Sequence, residues 1–213
     1  MAPDESDEEL MRRFQRGEPL AFEALMRRHR TPIHSFLRRQ TGDPARAEDL
    51  LQETFLRVIR HAPDWTPRAL VRTWLYTIAR NLAVDDLRRR PLREADPLDA
   101  PSAGGASHAE RAADPGRAPD EAASDAQLRP LLEAALAALP AEQREVFLLR
   151  EQAGLSFPEI AEATGVNENT VKSRMRYALV ALRDRLAAAG VEGATGRQPA
   201  SQAGSKPGRG GAP

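Results

Sequence analysis

The chain contains no cysteine, which excludes a disulfide framework and any thiolate metal site. Aromatic residues are only 5% of the 213 residues, so any core must be mainly aliphatic. No apolar run approaches the roughly 18 residues of a membrane-crossing helix, and no membrane insertion is expected. The opening MAPDESDEEL is acidic and polar, unlike a secretory signal. The four histidines, His29, His34, His61 and His108, are scattered and form no ligand cluster. Asp85 and Asp86 are neighbours on a predicted helix, where they diverge by about 100° and cannot easily share one catalytic site. The GRGG near the end has no strand or helix context for cradling a phosphate. The reading is therefore no catalytic residues, no metal, no cofactor and no enzyme, in a cytoplasmic protein.

The chain also lacks net charge, which taken alone argues against a nucleic-acid partner. The average hides a segregation. Residues 1–90 hold 17 basic against 14 acidic residues, and 91–127 hold 3 against 8. Residues 128–190 are balanced at 8 and 8, and 191–213 hold 3 against 1. Residues 91–126 lack sustained apolar periodicity and are rich in Pro, Gly, Ala and acid, which predicts a flexible acidic linker. Residues 189–213 have the composition of a disordered basic tail. The expected fold is all-α, with two small helical domains, 1–90 and 127–188, joined by the linker.

In the first block, apolar spacing predicts a helix over about 7–28, then a break at Thr31-Pro32 and a short second helix. Asp43 followed by Pro44 marks the start of a third, running to about His61. A loop (62–69) leads to a fourth over about 70–90, which Pro91 is expected to stop. The second block reads as helices near 126–139, 141–152, 156–164 and 168–188. No stretch alternates with period two, so no sheet is expected.

The stretch ATGVNENTVKSRMR (163–176) places Gly165 between two short helices. Ala161 is small enough for close helix approach, Gly165 can supply a positive backbone torsion, and Val171 would be buried beneath the first helix. At 100° steps Val171, Met175, Ala178, Leu179, Leu182 and Leu186 share one side. Asn169, Ser173, Arg176 and Tyr177 face the other way, with Lys172 and Arg174 flanking and Thr170 in the first turn. This is the pattern of a helix-turn-helix whose second helix enters a major groove. An ordinary helical pair with a solvated basic face has the same periodicity.

Two further faces stand out. On 47–62, Asp49, Gln52, Glu53 and Arg60 surround Leu56, with Ile59 at the edge. That arrangement suits a protein partner, as an apolar anchor with a charged rim, although a single exposed leucine is common. On 72–90, Trp74, Thr77, Asn81, Val84 and Arg88 are expected outward, flanked by Arg80, and the preceding loop carries Trp65. Aromatic surface beside arginine suits single-stranded nucleic acid. The bland alternative packs Trp74 inward and leaves the arginines in solvent.

Taken in order, AEDLLQETFLRVIRHA, RTWLYTIARNLAVDDLRRR and LPAEQREVFLLREQAGLSFPEIAEATGVNENTVKSRMRYALVALRDRL resemble the extracytoplasmic-function (ECF) group of bacterial RNA polymerase sigma factors. The resemblance implies that 1–90 is a region 2-like domain. Within it, Asp49, Gln52, Glu53, Phe55 and Leu56 would bind polymerase core at the clamp helices of its largest subunit. Trp65, Trp74, Arg80, Asn81 and Arg88 would hold the displaced strand of the −10 element. Residues 127–188 would be region 4-like, reading −35 promoter DNA with Asn169, Thr170, Lys172, Ser173, Arg174 and Arg176. It further implies an inhibitory anti-sigma factor, a monomer when free of partners, and nucleoid association only within the holoenzyme. The acidic linker would thread toward the active-site cleft. Two other readings remain open at this point: a dimeric two-domain helix-turn-helix regulator of duplex DNA, and a protein that binds polymerase without reading DNA.

Overall fold

The computed structural model describes residues 5–94 and 119–191, and these residues form helices and turns only. The helices are α1 (Asp7–Gln15), α2 (Pro19–Thr41), α3 (Pro44–His61) and α4 (Val71–Glu94), followed by α5 (Pro119–Ala137), α6 (Ala141–Glu151), α7 (Phe157–Thr164) and α8 (Glu168–Ala188). A single 3₁₀ turn spans Ala62–Asp64. Most of the expected linker (95–118) and tail (192–213) lies outside the described residues.

Local chemistry accounts for the starts. Ser6 accepts a hydrogen bond from the Glu9 amide at the head of α1, and Asp43 accepts one from Arg46 at the head of α3, with Pro44 in the first turn. The head of α4 is satisfied from outside, because the Val71 amide donates to the Glu8 carboxylate of α1 at 3.1 Å. Side-chain capping at an exposed helix start is typically worth about 1 kcal/mol.

Three sequence expectations need correction. The first predicted helix is two, because the chain turns at Gly17, whose φ is +89°, before α2 begins. The break at Thr31-Pro32 is absent, and α2 runs through Pro32. Its buried residues on either side of the proline (Phe22, Leu25 and His29; Ile33, Phe36 and Leu37) form one continuous face. Burying that face outweighs the roughly 3 kcal/mol that an interior proline costs. Pro91 likewise does not stop α4, which continues to Glu94. Removing one amide donor does not by itself unwind the turns on either side.

The core is not divided at the linker. Buried side chains of α1–α4 and of α6–α8 belong to one continuous apolar cluster, and a second, smaller cluster joins α5 to α8 through Leu136, Leu139, Ala178 and Leu182. At the centre, Phe36 of α2 meets Tyr76 of α4 edge to face, with ring centroids 5.4 Å apart. Burial pushes the Tyr76 hydroxyl up to about 12, so it stays protonated.

The N-terminal helix is fastened by charge. Asp7 bonds the Arg28 guanidinium and lies 2.7 Å from the His29 Nε2. Burial alone would raise its carboxyl, but the bonds and charges of His29 and Arg28 outweigh this and hold it below the ordinary 3.8. The stability it adds is therefore complete above about pH 5 and is lost as pH falls through the lower folded value. Asp7→Asn is expected to cost about 1–3 kcal/mol at neutral pH. In urea unfolding the gap from wild type should close as the pH is lowered below 3.8.

Candidate nucleic-acid interface

Three surfaces follow from this packing. On α3 the inward side is buried as the spacing predicts, at Ala47, Leu50, Leu51, Thr54 and Val58. The outward side leaves Leu56 47% and Ile59 44% exposed, with Asp49 and Gln52 exposed and Glu53 half-buried beside them. Glu53 accepts from the Arg57 Nε at 3.0 Å. Arg46 pairs with Asp49 at 3.3 Å and with Asp86 of α4 at 2.5 Å. A polar cleft of about 310 Å³ lies between α3 and α4, lined among others by Asp49, Glu53, Asp85 and Arg89. Phe55 does not share this surface. It is buried against Phe22, with ring centroids 6.2 Å apart, and it supports the face from beneath.

The second surface is the outward side of α4. Asn81 and Arg88 are exposed, while Trp74, Thr77, Arg80 and Val84 are half-buried. Trp74 packs partly against the core. Trp65, expected in an accessible loop, is only 7% exposed. Its backbone carbonyl and that of Ala62 both accept from the Gln15 amide at 2.8 Å, which holds the loop on α1. Its buried indole N–H has no partner, a desolvation cost of about 1–3 kcal/mol.

The third surface is the α7–α8 pair. Ser156 and Glu159 form a reciprocal capping box at the start of α7. Gly165 ends it with φ +71°, its amide donating to the Ala161 carbonyl at 2.9 Å. Asn167 then caps α8, accepting from the Thr170 amide at 2.8 Å. Ile160 and Val171 are fully buried where the two helices meet. Asn169, Thr170, Ser173, Arg174 and Tyr177 line one shallow concavity. Lys172 pairs with Glu168 at 2.6 Å, and the Arg176 guanidinium lies 5.2 Å from the Tyr177 ring centroid. Leu179, expected on the buried side, is 48% exposed. It sits at the edge of the apolar arc, outside the buried Val171–Met175–Ala178–Leu182 line of α8.

The structure thus brings together most of the residues expected to read duplex DNA. It also brings Arg174 into a cleft of about 430 Å³ that Arg80 and Arg88 of α4 line with Glu142 and Glu145 of α6. The sequence reading placed Tyr177 on the outward side of α8 but gave no role to Glu142, Glu145 or Glu159. For Glu145 a signal existed, because it shares the buried side of α6 with Val146, Leu148 and Leu149, and a buried carboxylate requires a partner.

Residues 25–91 match the Sigma-70 region 2 family and residues 129–182 match Sigma-70 region 4. The chain belongs to the ECF group of RNA polymerase sigma factors. It is 38% identical over 176 residues to the RNA polymerase sigma factor CarQ of Myxococcus xanthus, covering 83% of this chain and 95% of that one. It is 34% identical to the ECF sigma factor SigL of Mycobacterium tuberculosis, covering 82% and 94%. The fold is similar to that of CnrH, solved with the cytosolic domain of CnrY (TM-score 0.61, 23% identity, 86% of this chain and 99% of that one). It is also similar to the sigma factor RpoE of Bartonella quintana, solved with the anti-sigma factor NepR (TM-score 0.59, 23% identity, 78% and 96%).

Membership decides among the three readings in favour of a sigma factor, a transcription-initiation protein that directs polymerase core to promoters. The matched regions place α3 and α4 in region 2 and α7 and α8 in region 4. Sigma factors of this family are not catalysts in their own right. Among the described residues no helix is long and apolar enough to cross a membrane, and no group of three or more His, Asp or Glu could hold a metal ion.

The turn before α8 gives a direct test of the geometry. A Cβ at Gly165 would meet nothing within 4 Å, so Gly165→Ala should cost only the backbone strain of a left-handed non-glycine residue, about 1–2 kcal/mol. A loss well beyond that in thermal unfolding would mean that a side chain at this position meets close neighbours, contrary to the open space around it.

Proposed function

We propose that this sigma factor divides its work among the three surfaces. The outward side of α3 binds polymerase core, with Leu56 and Ile59 as the apolar anchor and Asp49, Gln52 and Glu53 as the acidic rim. The outward side of α4, with Trp74, Arg80, Asn81 and Arg88, holds the displaced strand of the −10 element. Asn169, Thr170, Lys172, Ser173, Arg174 and Arg176 on α8 read the −35 element in the major groove. The observation that carries this reading is the α3 surface, where two half-exposed aliphatic side chains stand beside unburied carboxylates. Solvent alone gives no reason for that pattern.

Phe55 and Trp65 act indirectly in this scheme. Phe55 sets the height of Leu56 above the core, and Trp65 anchors the loop that aims α4. The protein works in the cytoplasm as a monomer until it meets core polymerase. An anti-sigma factor holds it off, as the similarity to two sigma-factor folds solved with bound partners suggests.

Run-off transcription with polymerase core and a promoter library should give promoter-dependent product, and no product from any promoter would sink this reading. Asp49→Arg combined with Glu53→Arg should abolish co-purification with core while leaving the circular dichroism spectrum unchanged. Undiminished core binding would refute the α3 assignment. Arg174→Ala should weaken −35 recognition by about 1–3 kcal/mol if the guanidinium meets a base edge. A gel-shift series in which every sequence loses affinity equally would instead make it a phosphate contact.

A further inference from the structure

Of the side chains that line the shallow concavity on α8, three already serve other contacts. Asn167 accepts from the Thr170 amide at 2.8 Å and from the Thr170 hydroxyl at 3.0 Å, so both residues belong to the helix cap. Arg174 donates to the Glu142 carboxylate of α6 at 2.5 Å, and its side chain is only 20% exposed. The rest of the lining is Asn169, Ser173 and Tyr177. They stand four residues apart and so form one line along the helix.

Tyr177 supplies the aromatic end of that line. It is 53% exposed, yet it sits in the third turn, well past the cap. Side chains on a helix lean toward its N-terminus, over the turn that precedes them. The Tyr177 ring therefore extends over Ser173 toward the end of α8 that would enter a groove. The Arg176 guanidinium lies 5.2 Å from the ring centroid, and that cation–π attraction favours an ordered ring before DNA arrives. Leu179 and Val180, the other exposed large apolar residues of α8, do not line the concavity.

In the major groove the base edges carry hydrogen-bonding groups and one apolar group, the thymine C5-methyl. An amide or a hydroxyl can answer the first kind. Only an apolar surface gains from covering the methyl, because both then leave water. In the line of Asn169, Ser173 and Tyr177 that surface is the tyrosine ring.

We propose that Tyr177 is a specificity-determining residue of the −35 reader, and that its ring packs on the C5-methyl of a thymine. The proposal rests on the assignment of α8 to the −35 element and names the base that one position of that element demands.

The test uses holoenzyme assembled from the full chain and core polymerase, with a fluorescein-labelled duplex carrying a promoter recovered from the library. Each thymine of the −35 element, on either strand, is replaced in turn by deoxyuridine, which keeps every hydrogen-bonding group and lacks the methyl. By fluorescence anisotropy the wild type should lose affinity about fourfold at one position, the change that one buried methyl group supports. Tyr177→Ala should bind the thymine duplex about fourfold less tightly and no longer distinguish thymine from deoxyuridine at that position. Tyr177→Phe keeps the ring and should behave as wild type.

A wild type that tolerates deoxyuridine at every position overturns the proposal, and so does a Tyr177→Ala variant that still discriminates. Tyr177→Phe binding as weakly as Tyr177→Ala would make the hydroxyl the contact and overturn it as well. A duplex with the −35 element scrambled separates this from the promoter reading. Wild-type binding that ignores scrambling faults the −35 assignment itself, whereas binding that is weakened by scrambling but not by deoxyuridine faults only the role of Tyr177.

Discussion

An arginine shielded from water must be paired, and Arg80 is the arginine on which this molecule turns. At 16% exposure its guanidinium cannot be left without an anion. Removing the partner of a buried charge typically costs about 3–5 kcal/mol, so the anion present decides how α4 is packed. In the free chain that anion is Glu145, and region 4 comes with it. The surface proposed to hold the displaced strand therefore shares Arg80 with the contact between the lobes.

The rest of the fold keeps α4 in place for either partner. Phe36 and Tyr76 lock α2 to α4 edge to face, Glu8 satisfies the first amide of α4, and Gln15 pins the loop before it. The Arg46–Asp86 pair fixes α3 beside α4, so the surface assigned to polymerase and the surface assigned to single-stranded DNA have a set angle between them. Asp7, held ionised by Arg28 and His29, closes α1 over this frame.

Much of this was legible in the residues. The sidedness of α3 follows from its spacing alone, because each buried position repeats at helical intervals and Leu56 falls between them. Gly165 announces the turn between α7 and α8 through a backbone requirement that few other residues meet. The helix through Pro32 was not legible, since proline reads as a breaker and only the burial of residues on both sides shows why it is tolerated. Phe55 and Trp65 fell on the wrong side of the surface for a related reason. Periodicity gives direction within one helix and says nothing of what a neighbouring helix covers. The docking of the two lobes was out of reach altogether, because the Arg80–Glu145 bond spans 65 residues of sequence and neither side chain's spacing names the other.

The most direct test replaces Thr77, which shares the outward side of α4, with a photo-crosslinking amino acid. Irradiation is then carried out on the free protein and on an open complex with core polymerase and promoter DNA. The account predicts adducts to residues 141–164 in the free chain and adducts to the displaced DNA strand in the open complex. An open complex in which position 77 still crosslinks to region 4 and never to DNA would contradict it.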